Sequence, residues 1–437
     1  MTEADVSPLF VCHGCGAIVD MARRLPFACP NAAGAQDDAD HVLVPAAEGQ
    51  AWVAGREANP FLRYRRWLTP YRLARAAGLA DDAWGELVGE LDSALLAVDG
   101  RGFRVTPMTR QPALAKAIGL ARDLWVKDET GNVSGSHKGR HLMGAMLYLR
   151  VLERAGLRVG EGLRARRLAI ASCGNAALAA AAIARAAEWP LDVFIPADAE
   201  PEVVRRLSDL GAVVHVSERR PGEAGDPCVR DFRRAVGSGA IPFGVQGPDN
   251  GLAVEGARTL AFEMAEQLTT DGADVDAIFV QVGGGALASA LAQGFAMAVA
   301  ARLLRRRPRF VAVQTAGCAP LARAWRRLPG VDLEEAARRR SRFMRPWESV
   351  PVSLAHGILD DETYDWWEVA KAMRDSDGAP VVVDEDAVSR ARRLAHAHTG
   401  VDVSATGTAG LAGALTAARV DESLAVVFSG AERQAGG

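Results

Sequence analysis

The sequence predicts an α/β protein with parallel sheets covered by helices. Three observations predict it. Short apolar runs alternate with longer helical patterns between residues 126 and 330. Glycine-bearing turns separate most of them, as in strand–helix crossover units. The chain has 437 residues, 49% hydrophobic and 24% charged, which is ordinary for a soluble globular enzyme of two to three domains. Lysine and arginine number 51 against 54 aspartates and glutamates, a net charge of −3. No basic excess argues for nucleic acid or an anionic membrane as a partner. The longest apolar stretches, residues 176–187 and 286–304, are Ala-rich and read as buried helices rather than membrane spans. The start of the chain is acidic and does not read as a secretory signal. Six cysteines in this length do not make a disulfide framework, so a reducing cytoplasm is expected.

Residues 1–46 read as a small zinc-ribbon-like segment. Cys12-His13-Gly14-Cys15 is a C-x-x-C knuckle, and Cys29 and His41 follow. Cys12, Cys15, Cys29 and His41 would make a closed, structural tetrahedral site. No cysteine completes a second C-x-x-C pair at Cys29, so a ribbon held by packing alone is the alternative. Residues 59–67 are aromatic and basic and read as an arm packed on the core or a subunit contact. A helical pattern covers 81–97. Pro107 excludes a helix interior, and 124–127 is a short strand.

Strands are predicted at 168–172, 191–196, 212–216, 241–246, 277–282 and 310–314. Helices are predicted at 176–187, 202–210, 229–236, 253–268 and 286–304. In such sheets ligands sit beyond the carboxyl ends of strands, at helix N-termini. Two turns there stand out. Ser172-Cys173-Gly174-Asn175 would present backbone N–H groups to an anion such as a carboxylate. Gly283-Gly284-Gly285-Ala286-Leu287 would make a nest suited to a phosphate; a plain tight turn or a nucleotide site fits that stretch alone equally well.

A third stretch, Ser134-Gly135-Ser136-His137-Lys138, places a lysine at a helix start. The positive end of the helix dipole disfavours its charge, which suits an amine nucleophile. A surface lysine is the bland alternative. In the C-terminal part, 380–383 is a strand, 385–398 a helix, and 424–428 a last strand ending at Ser429. The hydroxyl-rich stretch 404–410 leads into another Ala-rich helix. His356 is a candidate site residue or a satisfied core histidine.

In this order, Lys127-Asp128-Glu129, Ser134–Lys138, Ser172–Asn175 and Gly283–Leu287 resemble the fold-type-II pyridoxal-phosphate enzymes. That family includes threonine synthase, the threonine and serine dehydratases and cysteine synthase. The resemblance spans about residues 103–432. Asn250-Gly251 with Glu255 to Glu263, and the cysteine-bearing ribbon, look like the threonine-synthase branch. The glycine turn and Phe428-Ser429-Gly430-Ala431 look like the dehydratases.

The resemblance implies a tryptophan-synthase-β-like fold of two parallel-sheet, three-layer domains. A large cofactor domain would comprise 47–132 and 241–437, with 133–240 inserted as a small domain. It implies that Lys138 carries pyridoxal 5'-phosphate covalently and moves the Cα proton. Asn175 would contact the ring oxygen, Gly283, Gly284, Gly285, Ala286 and Leu287 the phosphate, and Ser429 the pyridine nitrogen. Ser172, Cys173, Gly174 and Asn175 would hold the substrate carboxylate.

The implied activity is a lyase acting by elimination or replacement at the β or γ carbon of a small L-amino acid, threonine-synthase-like, in a homodimer. A dehydratase-type ammonia-lyase and a catalytically silent homologue are the alternatives. A threonine synthase needs a second anion site, for which Lys127, Arg140 and the hydroxyls near Ser404 are the candidates. Three residues depart from the family pattern: His137 for an aromatic, Gly139 for an Asp and Cys173 for a small hydroxyl residue. His137 reads as an extra acid/base or as a stacking ring. Cys173 reads as a small buried residue or as a thiol with a lowered pKa.

Overall fold

The computed structural model describes residues 8–32, 37–46, 49–219 and 225–433. The acidic start, residues 1–7, lies outside the described residues. Near the N-terminus, β1 (Leu9–Cys12), β2 (Ile18–Asp20) and β3 (Leu43–Pro45) form a three-stranded antiparallel sheet with β1 in the middle.

The remaining strands are β4 (Met108–Arg110), β5 (Leu124–Asp128), β6 (Leu168–Ala171), β7 (Leu191–Pro196), β8 (Val213–Ser217), β9 (Ile241–Pro242), β10 (Ala277–Gln281), β11 (Arg309–Thr315), β12 (Val381–Val383) and β13 (Leu424–Phe428). They build two sheets. One has the order β12-β11-β10-β13-β5-β4, parallel except for the edge strand β4. The other, β8-β7-β6-β9, is wholly parallel.

The six-stranded sheet is covered on both faces. Ile278, Val280, Ala425 and Val427 face one hydrophobic cluster, while Phe279, Val311, Val426 and Phe428 face another. This is the period-two alternation of strands buried between helices. The third large cluster joins the four-stranded sheet, through Leu168 and Val193, to Phe10 and Leu43 of the N-terminal sheet and to Met21 and Phe27 beside it. The long helices Asp81–Asp99 and Lys138–Arg154 contribute Leu91, Leu142 and Tyr148 to the same cluster.

Three predicted elements have other bounds, one being the helix predicted to 304, which stops at Ala300. The strand predicted to 246 stops at Pro242, because Asn250 Nδ2 donates to the Gly244 carbonyl at 2.8 Å and closes a loop. The helix predicted from 253 starts at Arg258. Residues 251–257 are turns drawn onto the helix that carries Lys138: a Cβ on Gly256 would lie 2.0 Å from the Arg140 carbonyl oxygen, and one on Gly144 2.4 Å from Gly256 N. Only glycine on both sides permits that approach. Among the described residues no helix is long and apolar enough to cross a membrane.

Candidate active site

The carboxyl ends of β5, β10 and β13 point the same way and deliver the site. Phe428 pairs with Asp128, and β10 pairs with β13 through Ala277 to Phe279. After β13 the chain continues as Ser429 to Ala431 alongside Gly135 to His137. His137 N donates to Ser429 O at 3.1 Å and Ala431 N to Gly135 O at 2.8 Å. The turn before it needs left-handed backbone at Ser134 (φ 49°) and Gly135 (φ 70°), and Ser134 N is held by Asp99 Oδ2 at 2.7 Å. Lys138 then opens its helix beside Ser429.

Lys138 is half-buried, and its side chain has no hydrogen-bond or ion-pair partner among the described residues. Burial lowers its pKa, against the pull of the Asp360 and Asp365 carboxylates. This increases the fraction present as free amine. Ser429 is buried, and its hydroxyl accepts from Gln281 Nε2 at 2.5 Å. Its own proton therefore remains available to a ring nitrogen. Gln281 Oε1 is buried without a partner.

Gly283 to Gly285 lead into the helix Ala286–Ala300, with Gly285 left-handed at φ 99°. One of their N–H groups already has a carboxyl partner: Asp360 Oδ2 accepts from Gly284 N at 2.8 Å. The approach is close, since a Cβ on Gly283 would stand 2.3 Å from that oxygen. Burial raises the pKa of Asp360, and Lys138 opposes that shift.

Asn175 is the first residue of the helix Asn175–Ala186. Its Oδ1 accepts from Arg433, which assigns the amide: Nδ2 faces Gly430, where a Cβ would meet it at 2.9 Å. Ser172 Oγ accepts from Gly174 N at 3.3 Å and braces the turn. A cradle of glycines, a docked carboxylate, a buried hydroxyl and a low-pKa amine converge here. These donors fit pyridoxal phosphate.

Several expectations need correction. Lys127 and Arg140 are fully buried and cannot form a second anion site. Arg140 lies 2.8 Å from Glu129 and 2.6 Å from Glu263, while Lys127 Nζ lies 2.6 Å from Glu263. Of the hydroxyls of 404–408, Ser404 donates to Gly430 O and Thr408 to Ser404 O and Ala405 O, each at 3.2 Å, while Thr406 accepts from Gly357 N at 3.0 Å and keeps its proton.

His356 is neither a core histidine nor within the site; it is exposed, 4.0 Å from Glu200. Burial pushes the pKa of His137 down to about 3, which holds its ring neutral, and Nδ1 lies 3.0 Å from Ser429 O. Its ring packs edge-on to His141 at 5.4 Å. Cys173 is exposed at the turn and not a buried filler. The pKa of its thiol is raised, not lowered, by desolvation from the surrounding protein atoms and by the Asp226 carboxylate. A Cβ at Gly139 would stand 3.2 Å from the Val133 side chain and 3.3 Å from that of Phe103, so an Asp there would need both to shift by a few tenths of an ångström.

Sequence reasoning did not assign Asp360, Gln281 or Arg433 to the site. Two of them carried a signal: the family resemblance puts 353–361 at a substrate-facing segment, and Gln281 is the one polar side chain in the buried strand Ala-Ile-Phe-Val-Gln.

Residues 101–430 match the family described as pyridoxal-phosphate dependent enzyme. The chain belongs to this family. Its members similar to this chain include an L-serine dehydratase of Saccharomyces cerevisiae, 32% identical over 48% of the chain and 61% of the yeast protein. The chain thus matches less than two thirds of the length of that relative. A threonine synthase of Synechocystis sp. is 28% identical over 71% of each chain. Among solved structures, a threonine deaminase of Solanum lycopersicum superposes with a TM-score of 0.59 at 15% identity, covering 90% of this chain and 96% of that one. The fold is therefore that of the fold-type-II enzymes. The expectation that the chain lies nearest the threonine-synthase branch is not supported, because dehydratases match it as well.

Proposed function

We propose that the protein is a pyridoxal-phosphate-dependent lyase of the dehydratase type, acting on a small β-hydroxy L-amino acid. The observation that carries this reading is the buried Ser429 hydroxyl, which accepts from Gln281 Nε2 and keeps its own proton for a ring nitrogen; the likeness to an L-serine dehydratase over 48% of the chain supports it.

The cofactor would lie between the unit 47–132 plus 241–437 and the inserted unit 133–240. Gly283 to Leu287 would hold its phosphate once Asp360 yields the Gly284 N–H. Ser429 would donate to the ring nitrogen, Asn175 Nδ2 to the ring oxygen, and the Ser172–Asn175 turn would hold the substrate carboxylate. Pyridoxal phosphate, when bound, supplies an electron sink that acidifies the substrate's Cα–H. Lys138 Nζ, kept partly neutral, takes the Cα proton and can return it to the departing β-hydroxyl, which leaves as water. The neutral Ser429 hydroxyl, unlike a carboxyl group, does not protonate the ring nitrogen. That limits the sink and favours loss of the β substituent over transamination. The released enamine hydrolyses to a keto acid and ammonia. No disulfide joins the six cysteines, in keeping with a cytoplasmic setting.

Replacement chemistry on a phosphorylated homoserine has one observation in its favour. A cavity of about 250 Å³ beside Asn175 is lined by Arg101, Arg206 and Arg433. Keto acid and phosphate release separate the two readings. L-serine or L-threonine should yield keto acid, with no phosphate from O-phosphohomoserine, and Lys138→Ala should abolish both turnover and the lysine-dependent visible band. Phosphate release without keto acid would decide for replacement. A visible band without turnover of any amino acid would leave a silent homologue.

A further inference from the structure

The N-terminal sheet brings together side chains that the cofactor chemistry does not use. Cys12 and Cys15 flank a tight turn at the end of β1, where Gly16 N donates to Cys12 O at 2.8 Å. Cys29 and His41 approach from two other segments. One ligand atom from each of Cys12, Cys15, Cys29 and His41 lies within 4.8 Å of all the others. Cys15 Sγ stands 3.6 Å from Cys29 Sγ and Cys12 Sγ 3.7 Å from His41 Nδ1. A disulfide needs about 2.05 Å between sulfurs, so these are not bonded pairs. A tetrahedron with Zn–S of about 2.3 Å has an S···S edge of about 3.8 Å, close to what is seen. The histidine is prepared as well. His41 Nε2 lies 3.0 Å from Asp37 Oδ1, which fixes the proton on Nε2 and leaves the Nδ1 lone pair facing the thiols. Asn31 Nδ2 donates toward Cys15 Sγ at 3.5 Å.

We infer that Cys12, Cys15, Cys29 and His41 bind one zinc ion, and that this closed site clamps the Asp360–Trp367 segment over the glycine nest. The residues next to the ligands make the clamp. His13, inside the Cys12–Cys15 knuckle, stacks on Trp367 with ring centroids 4.5 Å apart, and its Nε2 lies 3.0 Å from Asp40 Oδ2. Asp40, beside His41, holds Arg340 at 3.1 Å, and Arg340 in turn binds Glu362. The clamped segment meets the nest at both ends: Asp360 accepts from Gly284 N, and Asp365 N donates to Gly284 O at 3.0 Å. With four protein ligands the ion has no open position and does no chemistry. Any soft or borderline divalent ion of tetrahedral preference would compete for the site.

Elemental analysis of the full-length protein, expressed with zinc and passed through a desalting column, tests the site. About one zinc per chain is expected, with loss in Cys15→Ser/Cys29→Ser. Should that variant fail to fold, Asp37→Asn serves instead, because Asp37 is an exposed carboxylate outside the ligand set. It should weaken zinc about 10–100-fold in competition with a chromophoric chelator. Wild-type protein with far less than one zinc, a Cys15–Cys29 disulfide found by thiol titration, or Asp37→Asn with unchanged affinity would overturn the site. Hydrogen–deuterium exchange tests the clamp. Chelation should raise uptake across residues 360–367, and unchanged uptake there would overturn it. None of these readouts depends on the lyase reading.

Discussion

At the residue scale, the least expected feature is a carboxylate on the phosphate nest. Asp360 accepts the Gly284 N–H that the cofactor phosphate would need, and its burial already raises its pKa. Losing that charge removes a like-charge repulsion of about 1–4 kcal/mol at about 4 Å. Asp360→Asn should therefore tighten pyridoxal phosphate about tenfold at pH 8, measured by titrating the visible band. Weaker binding would mean that the carboxylate organises the nest rather than blocking it.

His137 allows a second test at this scale. Its pKa falls from the ordinary 6.5 to about 3 through burial and the nearby Lys138 charge. A histidine depressed in the folded state adds stability above its unfolded pKa, and that stability is lost as pH falls toward the folded one. Between pH 7 and pH 5, His137 should account for about 2 kcal/mol of lost stability. His137→Phe should remove that share from the urea unfolding curves, while His141, also lowered well below its ordinary value by burial, keeps its own contribution.

At the scale of elements, the helix Lys138–Arg154 is fixed by charge as well as by packing. Arg140 bridges Glu129, which follows β5, and Glu263 on the helix Arg258–Thr270, and all three are fully buried. Removing one member of such a set leaves uncompensated charge and costs about 3–5 kcal/mol. Arg140→Leu should lower the unfolding free energy of the cofactor-free protein by that amount. It should also weaken cofactor attachment, because Lys138 stands two residues away on the same turn. An unchanged visible band in a destabilised variant would separate the two effects.

This network also shows what the sequence could reveal. Lys138 and the glycine turn sit in local strand–turn–helix patterns and Ser429 ends the last strand, so each stands out in the sequence as a candidate. The partners of Arg140 are not, since the Arg140–Glu263 contact joins residues 123 apart. Asp360 is hidden for the same reason, meeting Gly284 across 76 positions. Lys127 and Arg140 look like free cations in the sequence, and only the fold shows them paired. The helix at 253 was misplaced because Gly144 and Gly256 draw two backbones together, a requirement that helix periodicity does not encode.

At the scale of the whole molecule, the N-terminal sheet is part of the main core rather than an appended module. Phe10, Met21, Phe27 and Leu43 are buried in the same cluster as Leu168 and Val193 of the four-stranded sheet. Tyr148, on the helix that begins with Lys138, donates to the Met21 carbonyl at 3.2 Å, and Gly251 N donates to Phe27 O at 2.8 Å. Those four side chains alone contribute about 8 kcal/mol at roughly 2 kcal/mol each. A folded domain has a net stability of only about 5–15 kcal/mol. Deleting residues 1–46 should therefore not yield a smaller active enzyme. The truncated chain should be insoluble, or should lack a cooperative thermal transition, even though every residue proposed to touch the cofactor is retained. A soluble truncation with a full visible band and cooperative melting would show that the sheet is a detachable cover. The core shared with the helix of Lys138 would then carry little of the fold's stability.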